Sequence, residues 1–358
     1  MRDTPVTRRQ FLAGATGLTV GLGGCIRTSA QPPGQGGSGG GTGANEFEPL
    51  KMGGSSTVFP VVQRASSYWA ANYPTTDREY WGPLQYDIQT DHRLADYWAS
   101  LEDYEIDDDP APVYEVSVAL SHSGTGLEKL EKGQTDVGNS SAPVSAEFPN
   151  RSEEELAGFT DHVVGVDAQP IVVSKEVYDA GVTKLTAEQV REIYRGTITD
   201  WSEIDRYSGP EKEIQAVGRS EGSGTDTAFK ANMLGDVNAT MDGIDIRKGQ
   251  NQQVAGIIRN SNNAIAYMAL AFVDDTVQAI ELEFEGRTYT PGENLADKSY
   301  PLSRDLHCYT HEGTSRKEAA FLRMVIHDFG QGNFVETAGY ATLTDDRQQN
   351  QLDKLSDE

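Results

Sequence analysis

Cysteine is nearly missing from this sequence, which holds two, Cys25 and Cys308. If the first is used as an anchor, as argued below, no disulfide framework remains and the fold must rest on a packed core. Positive charge is equally scarce: 55 Asp and Glu face 30 Lys and Arg, of which only 11 are Lys, and the formal net charge is −25. A chain this acidic lacks the basic face that a polyanion needs, which excludes a nucleic-acid partner. No Gly-Lys-Ser/Thr follows a P-loop spacing, so nucleotide hydrolysis has no support. No internal repeat of fixed period is visible.

What is present is enough for a globular core. Hydrophobic residues make up 37% of the chain, with four Trp, fifteen Tyr and eleven Phe, so the acidity is not a mark of disorder. A length of 358 residues predicts about two domains. An acidic, Lys-poor surface suits concentrated salt, where the Debye length falls to about 3 Å at 1 M and self-repulsion is screened. The composition therefore reads as halophilic.

The first 24 residues read as an address. Thr7-Arg8-Arg9-Gln10-Phe11-Leu12 is a twin-arginine pattern, and the weakly apolar run that follows, Phe11 to Gly24, is 14 residues long, short of the ~20 needed to span a bilayer. Residues 1–24 contribute +2, leaving −27 on the remainder. Leu22-Gly23-Gly24-Cys25 is a lipobox-like end that would leave Cys25 as a lipidated N-terminus. The segment 25–46 carries seven Gly and Pro32-Pro33, the composition of a flexible tether.

Beyond the tether, short β-rich runs alternate with helical stretches, the pattern of an α/β architecture. Strands are expected over Glu115–Leu120, Gln169–Val173, Glu213–Val217 and Ala264–Met268. Helices are expected over Leu127–Lys132, Thr227–Leu234, Lys317–Phe329 and from Thr186, an N-cap with Gln189 at the capping-box position. The stretch Tyr73 to Pro112, with Trp81, Trp98 and five Tyr among many Asp, reads as an inserted surface excursion anchored by aromatics.

Several turns share one composition: Gly53 to Pro60, Ser121 to Gly126 and Gly218 to Thr225 follow strands and precede helices, and Gly138 to Pro143 is equally rich in hydroxyls. Glycine lets backbone N–H groups converge, Ser and Thr add hydroxyl donors, and a helix N-terminus adds partial positive charge. Four such turns, one containing Arg219, point to a tetrahedral oxyanion. The planar fork of Arg219 can hold two oxygens of one anion, and Glu221 is placed to pair with its guanidinium.

Two patterns mislead. Gly218-Arg219-Ser220-Glu221-Gly222 is a literal G-x-S-x-G, which would make Ser220 the nucleophile of a serine hydrolase or phosphatase. The turn, however, runs on through Ser223-Gly224-Thr225 before the helix, and no HGGG-type loop lies upstream. His307 and His311 would share a metal on a helix, but their neighbours predict a strand, which sets them about 13 Å apart. No metal is expected.

The residues resemble the PstS-type phosphate-binding proteins of the ABC phosphate uptake system. Gly54-Ser55-Ser56-Thr57-Val58-Phe59-Pro60 is similar to that family's first loop, Arg219 to Thr225 to its Arg loop, Gly196-Thr197-Ile198-Thr199-Asp200-Trp201 to its G-x-I-T-x-W turn, and Ala338-Gly339-Tyr340 to its C-terminal signature. The resemblance implies ligand contacts from Thr57 and the Val58 backbone, with Ser56 as the alternative one residue earlier, from Ser123, and from Arg219, Ser223, Gly224 and Thr225, with Glu221 supporting the Arg. Ser141 stands where the family often has an Asp that accepts the proton of hydrogen phosphate and repels sulfate; a hydroxyl can accept but cannot repel by charge.

The implied fold is the two-lobed periplasmic-binding-protein type II architecture, with residues 47–167 and 266–358 in one lobe, 168–265 in the other, and a hinge of two crossings. The implied function is a non-enzymatic, cofactor-free and monomeric receptor, lipid-anchored outside the cell membrane, that binds inorganic phosphate between its lobes and delivers it to an ABC permease. A receptor for sulfate, molybdate or tungstate is the nearest alternative.

Overall fold

The computed structural model describes residues 48–295 and 299–355. The twin-arginine pattern, Cys25 and the tether over 25–46 lie outside the described residues. Four strands come first, β1 Leu50–Gly54, β2 Val116–Leu120, β3 Val137–Ser140 and β4 Phe159–Ala168. The middle of the chain supplies β5 Ile171–Val173, β6 Lys184–Thr186, β7 Gln215–Arg219, β8 Ile246–Lys248, β9 Ala264–Tyr267, β10 Gln278–Ala279, β11 Glu281–Phe284 and β12 Arg287–Tyr289. The last, β13, is Ser303–His311.

These strands build two lobes. The first has the sheet β2-β1-β3-β13-β4, in which β1 is parallel to β2 and β3 while β13 runs antiparallel to β3 and β4. The second has β10-β5-β9-β7-β8 together with the small sheet β12-β11-β6. The chain leaves the first sheet after Ala168 and re-enters it at Ser303, and these two residues are ladder partners. Gln169 N–H donates to the Leu302 carbonyl at 3.0 Å and the Tyr300 hydroxyl to the Gln169 carbonyl at 2.7 Å, so the two crossings lie side by side. The expected return to the first lobe at residue 266 is too early: β9 to β12 pair with strands of the second lobe, and the boundary falls at Leu302. Alternating hydrophobicity could not show this, because a β-rich run carries no label for the sheet it joins.

Local sequence explains the elements that frame the site. β5 and β9 are apolar throughout and buried at every position, as strands covered on both faces must be. The helix Ala187–Arg195 opens with a capping box, Thr186 accepting from Gln189 N–H while the Gln189 side chain turns back, and closes at Gly196 in the left-handed conformation. Its Val190, Ile193 and Tyr194 face the core of the second lobe, where Phe229 and Tyr267 stack with ring centroids 3.8 Å apart. The helix Arg316–Ile326 is capped by Ser315 and Glu318 and stops three residues short of the expected Phe329, which lies in a separate short turn, Asp328–Gly330, capped by His327.

The stretch Tyr73–Pro112 is not a surface excursion. It contributes a helix, Leu94–Ser100, and puts Trp81, Ile88, Leu94 and Trp98 into the core of the first lobe beside Trp69, Phe321 and Phe329. Trp81 stands edge-on to Phe329 at 5.3 Å, and its indole N–H donates to the His92 carbonyl at 3.0 Å. Acidic residues between the aromatics mask a core element: Glu79, Asp87 and Asp91 are exposed, while Asp96 is buried and accepts from Asn72 at 3.0 Å. Among the described residues no helix is long and apolar enough to cross a membrane.

Candidate functional site

Each Gly/Ser/Thr turn sits at the end of a strand facing the other lobe. From the first lobe, β1 leads into Ser55, Ser56 and Thr57, β2 leads to Ser123 at the start of the helix Ser123–Glu131, and β3 ends in Ser140, followed by Ser141; all six are buried. β1 can pass so close to β3 only because its last residue is glycine: Gly54 has φ 135°, and a Cβ there would lie 2.2 Å from the Asn139 carbonyl oxygen. From the second lobe, β7 ends in Arg219, and Ser223, Gly224 and Thr225 open the helix Gly224–Phe229.

The two sets of turns meet. Thr57 Oγ1 lies 3.1 Å from Thr225 Oγ1, and Arg219 Nη2 donates to Ser56 Oγ at 3.2 Å. Ser123 Oγ accepts from Gly224 N–H at 3.1 Å and from Ser141 N–H at 3.2 Å, while Ser55 Oγ donates to Ser141 Oγ at 3.0 Å. At the rim, Gly124 N–H donates to the Gly222 carbonyl at 3.0 Å. Hydroxyls from both lobes and the N-termini of two helices thus converge on one buried locus, an arrangement that suits an anion.

Arg219 is 1% exposed, and every hydrogen bond of its guanidinium goes to a neutral group. Nε donates to the Lys248 carbonyl at 3.1 Å, Nη1 to Asn251 Oδ1 at 2.7 Å and Thr225 Oγ1 at 3.1 Å, and Nη2 to the Gly249 carbonyl at 2.7 Å as well as to Ser56. Burial, and then the nearby Arg304, push its pKa down to about 10, so it is still charged at neutral pH. Glu221, expected to pair with it, is exposed and does not reach it; among the described residues Arg219 has no carboxylate partner. Asp226 stands further out, accepting from the Tyr267 hydroxyl at 2.6 Å and from Arg247 at 3.0 Å, and Arg247 in turn donates to the Arg219 carbonyl at 2.8 Å.

Two more residues belong to the cluster that sequence reasoning missed. Arg304, on β13, donates from Nη2 to both Thr57 Oγ1 and Thr225 Oγ1 at 3.1 Å, and is held by Asp167 Oδ2 at 2.7 Å. Asn251, the first residue of the helix Asn251–Asn260, donates from Nδ2 to Ser56 Oγ and Thr57 Oγ1, each at 3.1 Å. Asn251 had a weak signal, a Gly249-Gln250-Asn251 turn between β8 and a helix, and Arg304 had none, since it sits within a strand. Val58 and Ser223 flank the cluster as helix N-caps without side-chain cap bonds.

His122 gives Nδ1 to the Gly222 carbonyl at 2.8 Å, and no histidine hydrogen-bonds Ser220 among the described residues. His307 and His311 lie on the strand β13, His307 bonding Asp161 at 2.8 Å, and no cluster of metal-ligating side chains occurs among the described residues.

Known proteins match this architecture. A family model described as a PBP superfamily domain matches residues 88–328, more than half of the chain. The phosphate-binding protein PstS of Staphylococcus saprophyticus is 27% identical over 252 residues, 68% of this chain and 76% of the relative. The phosphate-binding protein PstS of Staphylococcus aureus is 24% identical over 353 residues, 95% and 90% of the two chains. Among solved structures, a Clostridium perfringens protein with bound phosphate, assigned as a phosphate ABC transporter substrate-binding protein, superposes with a TM-score of 0.62 at 21% identity, covering 83% of this chain and all of its own. An ABC-type phosphate transport receptor from Vibrio cholerae gives 0.53 at 20% identity, covering 82% of this chain and all of its own. With two lobes, paired crossings and a family model spanning both, the chain belongs to the PBP superfamily and has the two-lobed fold of periplasmic binding proteins.

Proposed function

We propose that this chain is a PstS-type receptor that captures inorganic phosphate between its lobes and delivers it to the membrane subunits of an ABC permease. The observation that carries this reading is Arg219, a buried cation with no carboxylate of its own, surrounded by hydroxyls from both lobes. A buried charge is costly unless it is paired, so the locus has a standing preference for an anion. Ser56, Thr57, Ser123, Ser141 and Thr225 supply hydroxyls that donate to oxyanion oxygens or accept from a protonated one, and the Gly224 amide adds a backbone donor. Because the donors come from both lobes, the anion that satisfies them also holds the lobes together, so binding and closure are one event.

The reading extends to how the receptor is deployed. It binds without turnover, as a monomer and without cofactor. Export by the twin-arginine route, lipidation at Cys25 and the tether over 25–46 would place it on the outer face of the cell membrane, within reach of the permease. The residual charge of −27 belongs to the solvated surface of a halophilic protein rather than to the site.

One observation keeps a second oxyanion in view: Ser141 offers no negative charge to repel a fully ionised sulfate. Titration of purified protein with phosphate and then sulfate, followed by tryptophan fluorescence, tests the assignment. Saturable phosphate binding with weaker sulfate binding is expected, and equal affinities would remove phosphate as the specific ligand.

A further inference from the structure

Glu147 closes the helix Val144–Glu147 of the first lobe, which packs on the helix Gly224–Phe229 of the second. Both carboxyl oxygens are sealed from solvent and neither has a hydrogen-bond partner, a rare and costly arrangement for a carboxylate. The Gly124 amide and the Thr227 side chain stand beside the carboxyl without completing a hydrogen bond in good geometry, the amide being taken by the Gly222 carbonyl. An ideal Cβ on Gly124 would lie 3.4 Å from Oε2, so the helix Ser123–Glu131 packs directly on the carboxyl. The charged and titratable groups that bear on it are Asp226 from the helix Gly224–Phe229 and Arg304 and Tyr309 from β13. Asp226 opposes its ionisation and Arg304 favours it, so no clear ion pair offsets the loss of water.

Resting on the reading of the protein as an anion receptor that closes on its ligand, we propose that Glu147 takes up a proton when the cleft closes. In an open cleft the carboxyl faces water and is ionised; on closure the second lobe removes that water and supplies no bonding partner, so the carboxyl enters the interface as the neutral acid. Burial in the closed form pushes its pKa up to about 7 from an ordinary 4.5. The closed state therefore holds the extra proton between these values, and closure loses ground as pH rises from about 4.5 to about 7, with no further loss above that range.

Isothermal titration of phosphate into the intact protein at pH 6, in buffers of differing ionisation enthalpy, counts the protons exchanged. Phosphate's own ionisation contributes alike to wild type and to Glu147→Gln, so their difference isolates Glu147. The wild type is expected to take up close to one proton more than the variant at pH 6, with the difference fading by pH 8.5. Its affinity should fall roughly tenfold or more relative to Glu147→Gln between pH 5 and pH 7. Should the variant fold poorly, the phosphate-induced infrared difference spectrum of the wild type at pH 6 must show the C=O stretch of a newly protonated carboxyl. Phosphate binding with equal proton counts, or with no such band, overturns the role of Glu147 alone. A wild type that does not bind phosphate overturns the receptor reading itself.

Discussion

Gly224 of the second lobe meets Ser141 of the first so closely that an ideal Cβ on the glycine would stand 2.6 Å from the serine hydroxyl and 2.9 Å from its carbonyl carbon. The hydroxyl can rotate away, but the backbone carbon cannot. Glycine is therefore required at 224 by the partner lobe rather than by its own helix.

This separates closure from folding. Gly224→Ala is expected to leave each lobe folded, with thermal stability little changed, while phosphate affinity falls at least tenfold because the lobes cannot meet. Small-angle scattering with saturating phosphate should find the variant extended where the wild type compacts. A variant that compacts and binds normally would show that the two lobes do not need this contact.

Arg219 and Glu221 should behave oppositely. Replacing Arg219 with Ala removes charge-assisted hydrogen bonds worth about 1.5–3 kcal/mol each, so phosphate binding should weaken at least tenfold. Glu221→Gln alters an exposed residue that does not reach the guanidinium, and affinity should stay within twofold of wild type. Equilibrium titration of both variants checks the pair of outcomes.

The second guanidinium is a matter of stability as well as binding. Arg304 and Asp167 are 2.7 Å apart with side chains 4% and 0% exposed. Asp167→Asn leaves Arg304 buried without its counter-charge, and breaking such a pair costs about 3–5 kcal/mol. Urea denaturation should show that loss, in contrast to Asp179→Asn, whose bond to Lys175 is exposed on both sides and worth well under about 1 kcal/mol.

The Tyr73–Pro112 segment predicts a large effect from a single truncation. Trp98 is 1% exposed against Phe329 and His327, so Trp98→Ala should cost about 3–5 kcal/mol. A surface anchor would lose about 0.5 kcal/mol or less. Thermal denaturation distinguishes the two.

Much of the candidate site was legible because its chemistry is written in contiguous loops. Gly54 to Thr57, Ser123 and Arg219 to Thr225 each carry glycine, hydroxyls and a following helix within a few residues, and the structure gathers Ser56, Thr57, Ser123, Ser141, Arg219, Gly224 and Thr225 together. Arg304 was not legible, because a lone Arg in a strand owes its place to the long-range pairing of β13 with β4, which also brings Asp167 to it. Glu221 misled for the opposite reason: proximity in sequence suggested a pair, while the Gly222 turn directs its side chain to solvent. The fold's alternation was visible, but the lobe boundary depended on which sheet β9 to β12 join, a matter of tertiary pairing that periodicity does not encode.

Phosphate capture between the lobes is tested most sharply by a crystal structure of the protein grown with arsenate, whose anomalous scattering locates a phosphate-like anion without ambiguity. An arsenic peak is expected between the lobes, within hydrogen-bond distance of Arg219, Thr57, Ser123 and the Gly224 amide. A peak elsewhere, or closed lobes with no arsenic between them, would contradict it.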